Sequence, residues 1–292
     1  MRKAALAAAC LALTACAAST HTADPIEIPP APPIPAFYTQ ALDAGGIPIL
    51  ASDKVPLPAL EASRDMVSGM LAHRPDVAEL LVQASFRVAI MAEDETTTDL
   101  PEQADWTRPA RDDPRLTRCE RKHYDTRIGA LTDREYWHRR ARGMGGRLTS
   151  SSVEDVLGQR NSRYFGETIL VHEFSHGILK ALRIADPALA AQVDAAYAAA
   201  QENGLWAGEY AMTNVDEYWA EGTQFWFNSN RLAVMDGVRV LDHTDLAAYD
   251  PALYAVLGQA YGDTHRLESD PFWMHPARVP DGPPPVSTAE VC

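Results

Sequence analysis

His172-Glu173-Phe174-Ser175-His176 is the stretch whose reading decides the fold. Two histidines four residues apart lie only about 40° apart around an α-helix, so both imidazoles reach one point from the same face. Glu173 then stands beside that point. A carboxylate there takes a proton from a metal-bound water, which is the chemistry of a metal-dependent hydrolase. Buried imidazoles on one face are costly without a metal or a partner, so the pair reads as metal-ligating.

The residues around the motif are apolar at helical spacing. Ile169, Leu170, Val171, Phe174, Ile178, Leu179 and Leu182 predict a buried helix from about Tyr164 to Arg183. Gly177 leaves room for another backbone or for substrate. Downstream, Asp186 and Pro187 predict a capped, alanine-rich helix from Ala188 to about Gln201. Leu253 to Tyr261 reads as a further helix.

Two histidines need a third ligand. A second motif of the form Gly then His inside the same helix is excluded, because Leu179 and Leu182 occupy those positions. The alternative source is a second helix, and Tyr210-Ala-Met-Thr-Asn-Val-Asp-Glu217-Tyr-Trp-Ala-Glu221 provides one. Asn214 caps it, leaving Glu217 and Glu221 one turn apart on one face. Glu217 is the expected ligand. Glu221 is expected behind it, accepting the remaining N–H of His172 and fixing its tautomer. Asp216 points about 100° away and is set aside. Asn214 and Glu217 also fit an ordinary helix start, with Glu221 a solvated charge.

These residues resemble the gluzincin metalloproteases similar to the catalytic domain of anthrax toxin lethal factor. The likeness rests on HEFSH, on the spacing of Tyr210 and Glu217, and on the run Thr213-Asn214-x-x-Glu217-x-x-Ala220-Glu221. It covers about Asp133 to Asn230. Phe86 to Ala92 and Thr98 to Glu102 are similar to segments of bacterial zincin-like lipoproteins. The resemblance implies an α+β, mostly helical zincin-like fold with a small sheet beside the active-site helix. It implies one zinc ion held by His172, His176 and Glu217, with Glu173 as general base. Tyr210 is implied to stabilise the oxyanion or assist the leaving amine. It also implies an edge strand that pairs with extended substrate, placed at Arg147, Leu148, Thr149 and Ser150.

The N-terminus sets the expected address. Arg2 and Lys3 precede an Ala/Leu-rich run, and Leu13-Thr14-Ala15-Cys16 has the form of a lipoprotein processing box. Residues 1–15 are expected to leave as a signal peptide, with Cys16 lipidated. Ala17 after it suggests the outer membrane, facing the periplasm or the surface. Residues 16–36 read as a proline-rich tether that forms neither helix nor central strand. Residues 37–292 are expected to form the metallopeptidase domain. Its parts are a lobe at about 37–137, the metal region at about 138–235, and helices and a tail at 236–292.

Of four cysteines, Cys10 leaves with the signal and Cys16 carries lipid, so Cys119 and Cys292 are expected to form a disulfide in an oxidising compartment. The formal charge is −14, or −16 once Arg2 and Lys3 are removed. Such acidity excludes nucleic acid and electrostatic attachment to anionic lipid as partners. Helices are expected near 58–73 and 76–84, a strand at 86–92, and a polar stretch from about 93 to 137. Tyr218, Trp219, Phe225, Trp226 and Phe227 are expected in the core. His243, His265 and His275 lack partners at ligand spacing and are expected to be structural. The sequence thus points to a monomeric, lipid-anchored zinc endopeptidase acting on peptide or protein. A non-catalytic envelope binding lipoprotein and a zinc amidase of cell-wall peptides stand as alternatives.

Overall fold

The computed structural model describes residues 32–282, apart from Arg115 and Asp236. The fold is α+β and mostly helical. An antiparallel hairpin of β1 (Gln40–Ala44) and β2 (Ile47–Ala51) leads into helices α1 (Leu57–Leu71) and α2 (Pro75–Gln83) and then strand β3 (Arg87–Met91). Short helices α3 (Arg118–Lys122) and α4 (Asp133–Arg140) occupy the polar stretch. Strand β4 (Leu148–Ser152), the single turn α5 (Val153–Val156) and the motif helix α6 (Ile169–Ala185) follow. Helices α7 (Pro187–Glu202) and α8 (Val215–Trp226) precede a small hairpin, β5 (Ala233–Met235) and β6 (Val238–Val240). Helices α9 (His243–Tyr249) and α10 (Pro251–Tyr261) complete the set.

The larger sheet has the order β1-β2-β3-β4, with β3 parallel to both neighbours. Side chains of β3 alternate between two cores, as the period of a strand requires. Val88 and Ile90 pack with α1, α2 and α6, whereas Ala89 and Met91 face a smaller cluster with Tyr38, Leu50 and Leu100. Helix α6 packs against β4, α2, α7 and α8. The expected core aromatics Tyr218, Trp219, Phe225, Trp226 and Phe227 are all buried. Trp219 donates its indole N–H to the Ser175 carbonyl at 3.1 Å, which fixes α8 against α6.

Local signals place the helix starts well. Asp186 caps α7 through Leu189 N at 3.0 Å, and Asp250 caps α10 through Leu253 N at 3.0 Å. Helix α6 starts five residues later than its apolar run predicts. Asp155 accepts from Ile169 N at 3.1 Å and from the Ser151 hydroxyl at 3.1 Å, so a carboxylate from outside the helix sets its first turn. Burial pushes the Asp155 carboxyl well above its ordinary range. Gly177 does leave room, but for Phe86: a Cβ there would lie 2.7 Å from that ring.

Arg142 ties the approach to the motif helix to the sheet. It is buried, donates to Glu154 at 2.7 Å, and reaches the Ala92 carbonyl at 3.1 Å and the Glu95 carbonyl. A buried pair of this kind adds positional definition more than net stability. The end of the expected tether is held as well, since Arg87 donates to the carbonyls of Pro32 and Pro33. The expected signal peptide and Cys16 lie outside the described residues. Cys119 is buried at the start of α3 and is not a free thiol; its expected partner Cys292 also lies outside the described residues. Among the described residues no helix is long and apolar enough to cross a membrane.

Candidate metal centre

Helix α6 presents His172, Glu173 and His176 to a cleft of about 960 Å³, and α8 presents Glu217 from the facing side. Glu217 Oε2 lies 3.0 Å from His172 Nε2 and 3.6 Å from His176 Nε2. Four ligands about 2.0–2.1 Å from a tetrahedral zinc lie about 3.3 Å from one another, so these spacings suit that ion. The ligand atoms of the three residues fall within 4.8 Å of one another, and among the described residues no other group of this kind occurs. The donor set of two imidazoles and one carboxylate matches the three protein ligands of a catalytic zinc with a fourth position open.

Asn214 caps α8 as expected, accepting from Glu217 N at 3.0 Å. The Glu217 side chain does not complete a capping box; it turns instead to the histidines. Its second oxygen accepts the Tyr210 hydroxyl at 3.3 Å. Tyr210 sits on a single 3₁₀ turn, Tyr210–Thr213, directly before α8. Burial and the Glu217 carboxylate raise its pKa, so the phenol keeps its proton at neutral pH.

Charges in the metal-free site divide sharply. Burial alone would lower His172, but the Glu217 hydrogen bond and the carboxylates of Glu173 and Glu221 raise it to about 10. His176 goes the other way, lowered to about 4 by burial and by the His172 charge. Glu217 is lowered despite burial, because His172 pairs with it. Burial pushes Glu173 up to about 7, with the His172 charge opposing and Glu217 assisting. The Glu173 carboxylate lies 4.0 Å from His176 Nε2, beside the prospective ion.

Two expectations shift. Glu221 lies 3.5 Å from His172 Nδ1, but the shorter contact is to Gln224 Oε1 at 3.1 Å. Gln224 is itself fixed by donating to the Thr168 carbonyl at 3.2 Å, so its oxygen must face the imidazole. That bond keeps the proton on Nδ1 and leaves Nε2 as the ligand atom. Glu221 is held to one side by Asn230 at 2.8 Å. Gln224 follows Glu217 by seven residues on the same helix face, a spacing that exposes it in the sequence. Gln224→Ala is expected to weaken zinc binding about 10–100-fold, more than Glu221→Ala does, in a chelator competition. The reverse order would return the role to Glu221.

The second shift concerns the sheet edge. Strand β4 forms at the expected place and lies at the end of the sheet, but its outer edge is taken at Ser150. Met144 exchanges two backbone hydrogen bonds with it, at 2.9 and 3.2 Å. Arg147 to Ser150 do not line the cleft, whereas Gly143, Met144 and Gly145 do. The backbone edge facing the metal ligands therefore belongs to Gly143–Gly145. A Cβ at Gly145 would come within 2.7 Å of the His176 ring, which explains why glycine stands there.

Other cleft residues were not singled out by sequence. Tyr136, Trp137 and Arg140 come from α4, where a short, strongly polar helix gives no apolar stripe to read. His243 and His265 stack on each other with ring centroids 3.8 Å apart, and His275 accepts from Ala277 N, so the three play structural parts.

No protein-family profile and no curated protein matches this chain. Among solved structures, the Pro-Pro endopeptidase from Paenibacillus alvei is similar at 12% identity, over 72% of this chain and 96% of its own length, with a TM-score of 0.44. At that identity and superposition the likeness assigns no activity to this chain.

Proposed function

We propose that the protein is a zinc-dependent endopeptidase with a gluzincin-type site, anchored in the bacterial cell envelope by lipid on Cys16. The observation that carries this reading is the convergence of His172, His176 and Glu217 with a buried Glu173 beside them. His172, His176 and Glu217 would hold a zinc ion, which would supply Lewis acidity to a scissile carbonyl and to the attacking water. Glu173 takes the proton of the attacking water and delivers it to the leaving nitrogen. Its pKa of about 7 in the metal-free site suits both halves of that task. Tyr210 keeps its proton and offers it as a hydrogen bond to the developing oxyanion, from a hydroxyl already on the Glu217 side of the site. Gly143–Gly145 presents extended backbone to substrate in the manner of strand addition. A base and a proton-bearing tyrosine are superfluous for a protein that only binds zinc, which favours catalysis over a binding scaffold.

The test is elemental analysis of the purified chain from Ala17 onward, together with turnover of a mixed peptide library beside purified peptidoglycan. One zinc per chain is expected, with peptide cleavage that stops on chelation and returns when zinc is restored. A folded chain that takes up no zinc from a zinc-containing buffer would sink the proposal.

A further inference from the structure

We propose that Arg140 is the specificity-determining residue of the cleft and that it takes a carboxylate of the substrate, so that preferred peptides carry an acidic group within reach of the cleaved bond. This rests on the reading of the cleft as a peptidase site. Arg140 ends α4 and lines the cleft together with His172, Glu173 and Tyr210. Its charge reaches both Glu173 and Tyr210, opposing in each the upward push of burial. The residue is nonetheless exposed, and its guanidinium meets the Tyr136 hydroxyl one turn back on the helix. Among the described residues no ion pair joins Arg140 to a carboxylate, although Glu120 is near enough for its charge to be felt.

Position and chemistry both favour a carboxylate. After Arg140 the backbone turns extended at Ala141, whose carbonyl accepts the Thr97 hydroxyl at 3.2 Å, and Arg142 is anchored to Glu154 at 2.7 Å. The step from α4 to the Gly143–Gly145 edge is therefore fixed, and the guanidinium stands at a set place beside the backbone that would carry the substrate. An arginine keeps its proton at any working pH and presents five N–H donors in a planar fork. Tyr136 takes up part of that fork. The remaining donors match the two oxygens of a carboxylate. The acids nearby are committed elsewhere: Glu217 to His172 and Tyr210, Glu221 to Asn230, and Glu167 to Arg231. Glu120 caps α3, accepting from Thr117 N at 2.8 Å. A cation in the last turn of a helix also offsets its dipole, but His138 and Arg139 share that turn and neither lines the cleft. An acidic side chain and a free C-terminus bring the same group; the first leaves an endopeptidase, the second makes the enzyme a carboxypeptidase.

The test uses the zinc-loaded chain from Ala17 onward beside its Arg140→Gln and Arg140→Lys variants. kcat/KM is measured on peptides that differ only in Glu against Gln near the cleaved bond, and on the same peptides with free or amidated C-termini. Peptide hydroxamates carrying the same groups give each comparison as a Kd ratio, without turnover. The expected result is a preference of about 10–100-fold for one carboxylate form. That ratio collapses towards one in Arg140→Gln and is kept in part by Arg140→Lys, which holds the charge without the fork. A response to Glu against Gln assigns the carboxylate to a side chain, and a response to the free end assigns it to the C-terminus. No preference in the parent, or a preference that Arg140→Gln leaves intact, overturns the proposal. An equal fall of kcat on acidic and neutral peptides in Arg140→Gln also overturns it, since the guanidinium then acts on Glu173 or Tyr210 and not on substrate. If the zinc-loaded chain cleaves no peptide, the peptidase reading fails, and a hydroxamate ratio near one separately overturns the role of Arg140.

Discussion

Glu173→Gln is expected to leave about one zinc per chain and to lower kcat by about 10²–10⁴-fold, with KM little changed. Glutamine keeps the volume of the buried side chain and its ability to meet the Gly145 backbone, so α6 and the ligands are not disturbed. What it loses is basicity. The carboxylate stands 4.0 Å from His176 Nε2, close enough to the open coordination position to serve a water there and too far to replace a ligand. In the metal-free site burial raises its pKa to about 7, above the ordinary range of an exposed glutamate. Steady-state kinetics on metal-loaded variant and parent decide the matter. Turnover within tenfold of the parent, with zinc bound, assigns the proton transfer to another group.

Zinc uptake by the metal-free chain is expected to strengthen by about tenfold per pH unit from pH 6 to 8, a hundredfold over the interval. The sign follows from which form each ligand holds. His172, raised to about 10, carries a proton throughout that range and must give it up to bind metal. His176, lowered to about 4, is already neutral, and Glu217, lowered by its pairing with His172, is already ionised. One proton is therefore released from the ligand set, measurable by calorimetry in buffers of different ionisation enthalpy. A flat profile would show that His172 is neutral before metal arrives. The same shift stabilises the metal-free fold in full below the unfolded histidine value of about 6.5 and fades as pH rises through about 10.

Where interactions are local in sequence, the fold and site are legible. The HEFSH face, the Asp186 cap before proline, the Asn214 cap and the pairing of Tyr210 with Glu217 all lie within one or two helical turns. The caps and the histidine face are read from spacing, and Tyr210 from the resemblance that its distance from Glu217 carries. Tertiary effects escape that reading. The start of α6 is set by Asp155, fourteen residues away, and nothing in the segment Tyr164 to Thr168 announces it. The hairpin of β1 and β2 escapes because Gln40-Ala-Leu-Asp-Ala44 lacks β-branched and aromatic residues and Pro48 interrupts β2, unlike the continuous apolar run of β3. Gln224 lies on the face that Glu217 and Glu221 define, but its choice over Glu221 depends on Thr168 holding its amide. The shift of the cleft edge from β4 to Gly143–Gly145 is likewise a pairing between segments, visible only once Met144 is seen against Ser150.

That contact has a colloidal side. A sheet whose last strand shows bare amides and carbonyls invites another copy to zip onto it. Met144 occupies the middle of that flank of β4 with two hydrogen bonds, leaving the short β1 as the opposite border of the sheet. Neighbouring molecules thus lack a long free strand to share, and the extended backbone of Gly143–Gly145 lies recessed beside the histidines, away from a folded neighbour.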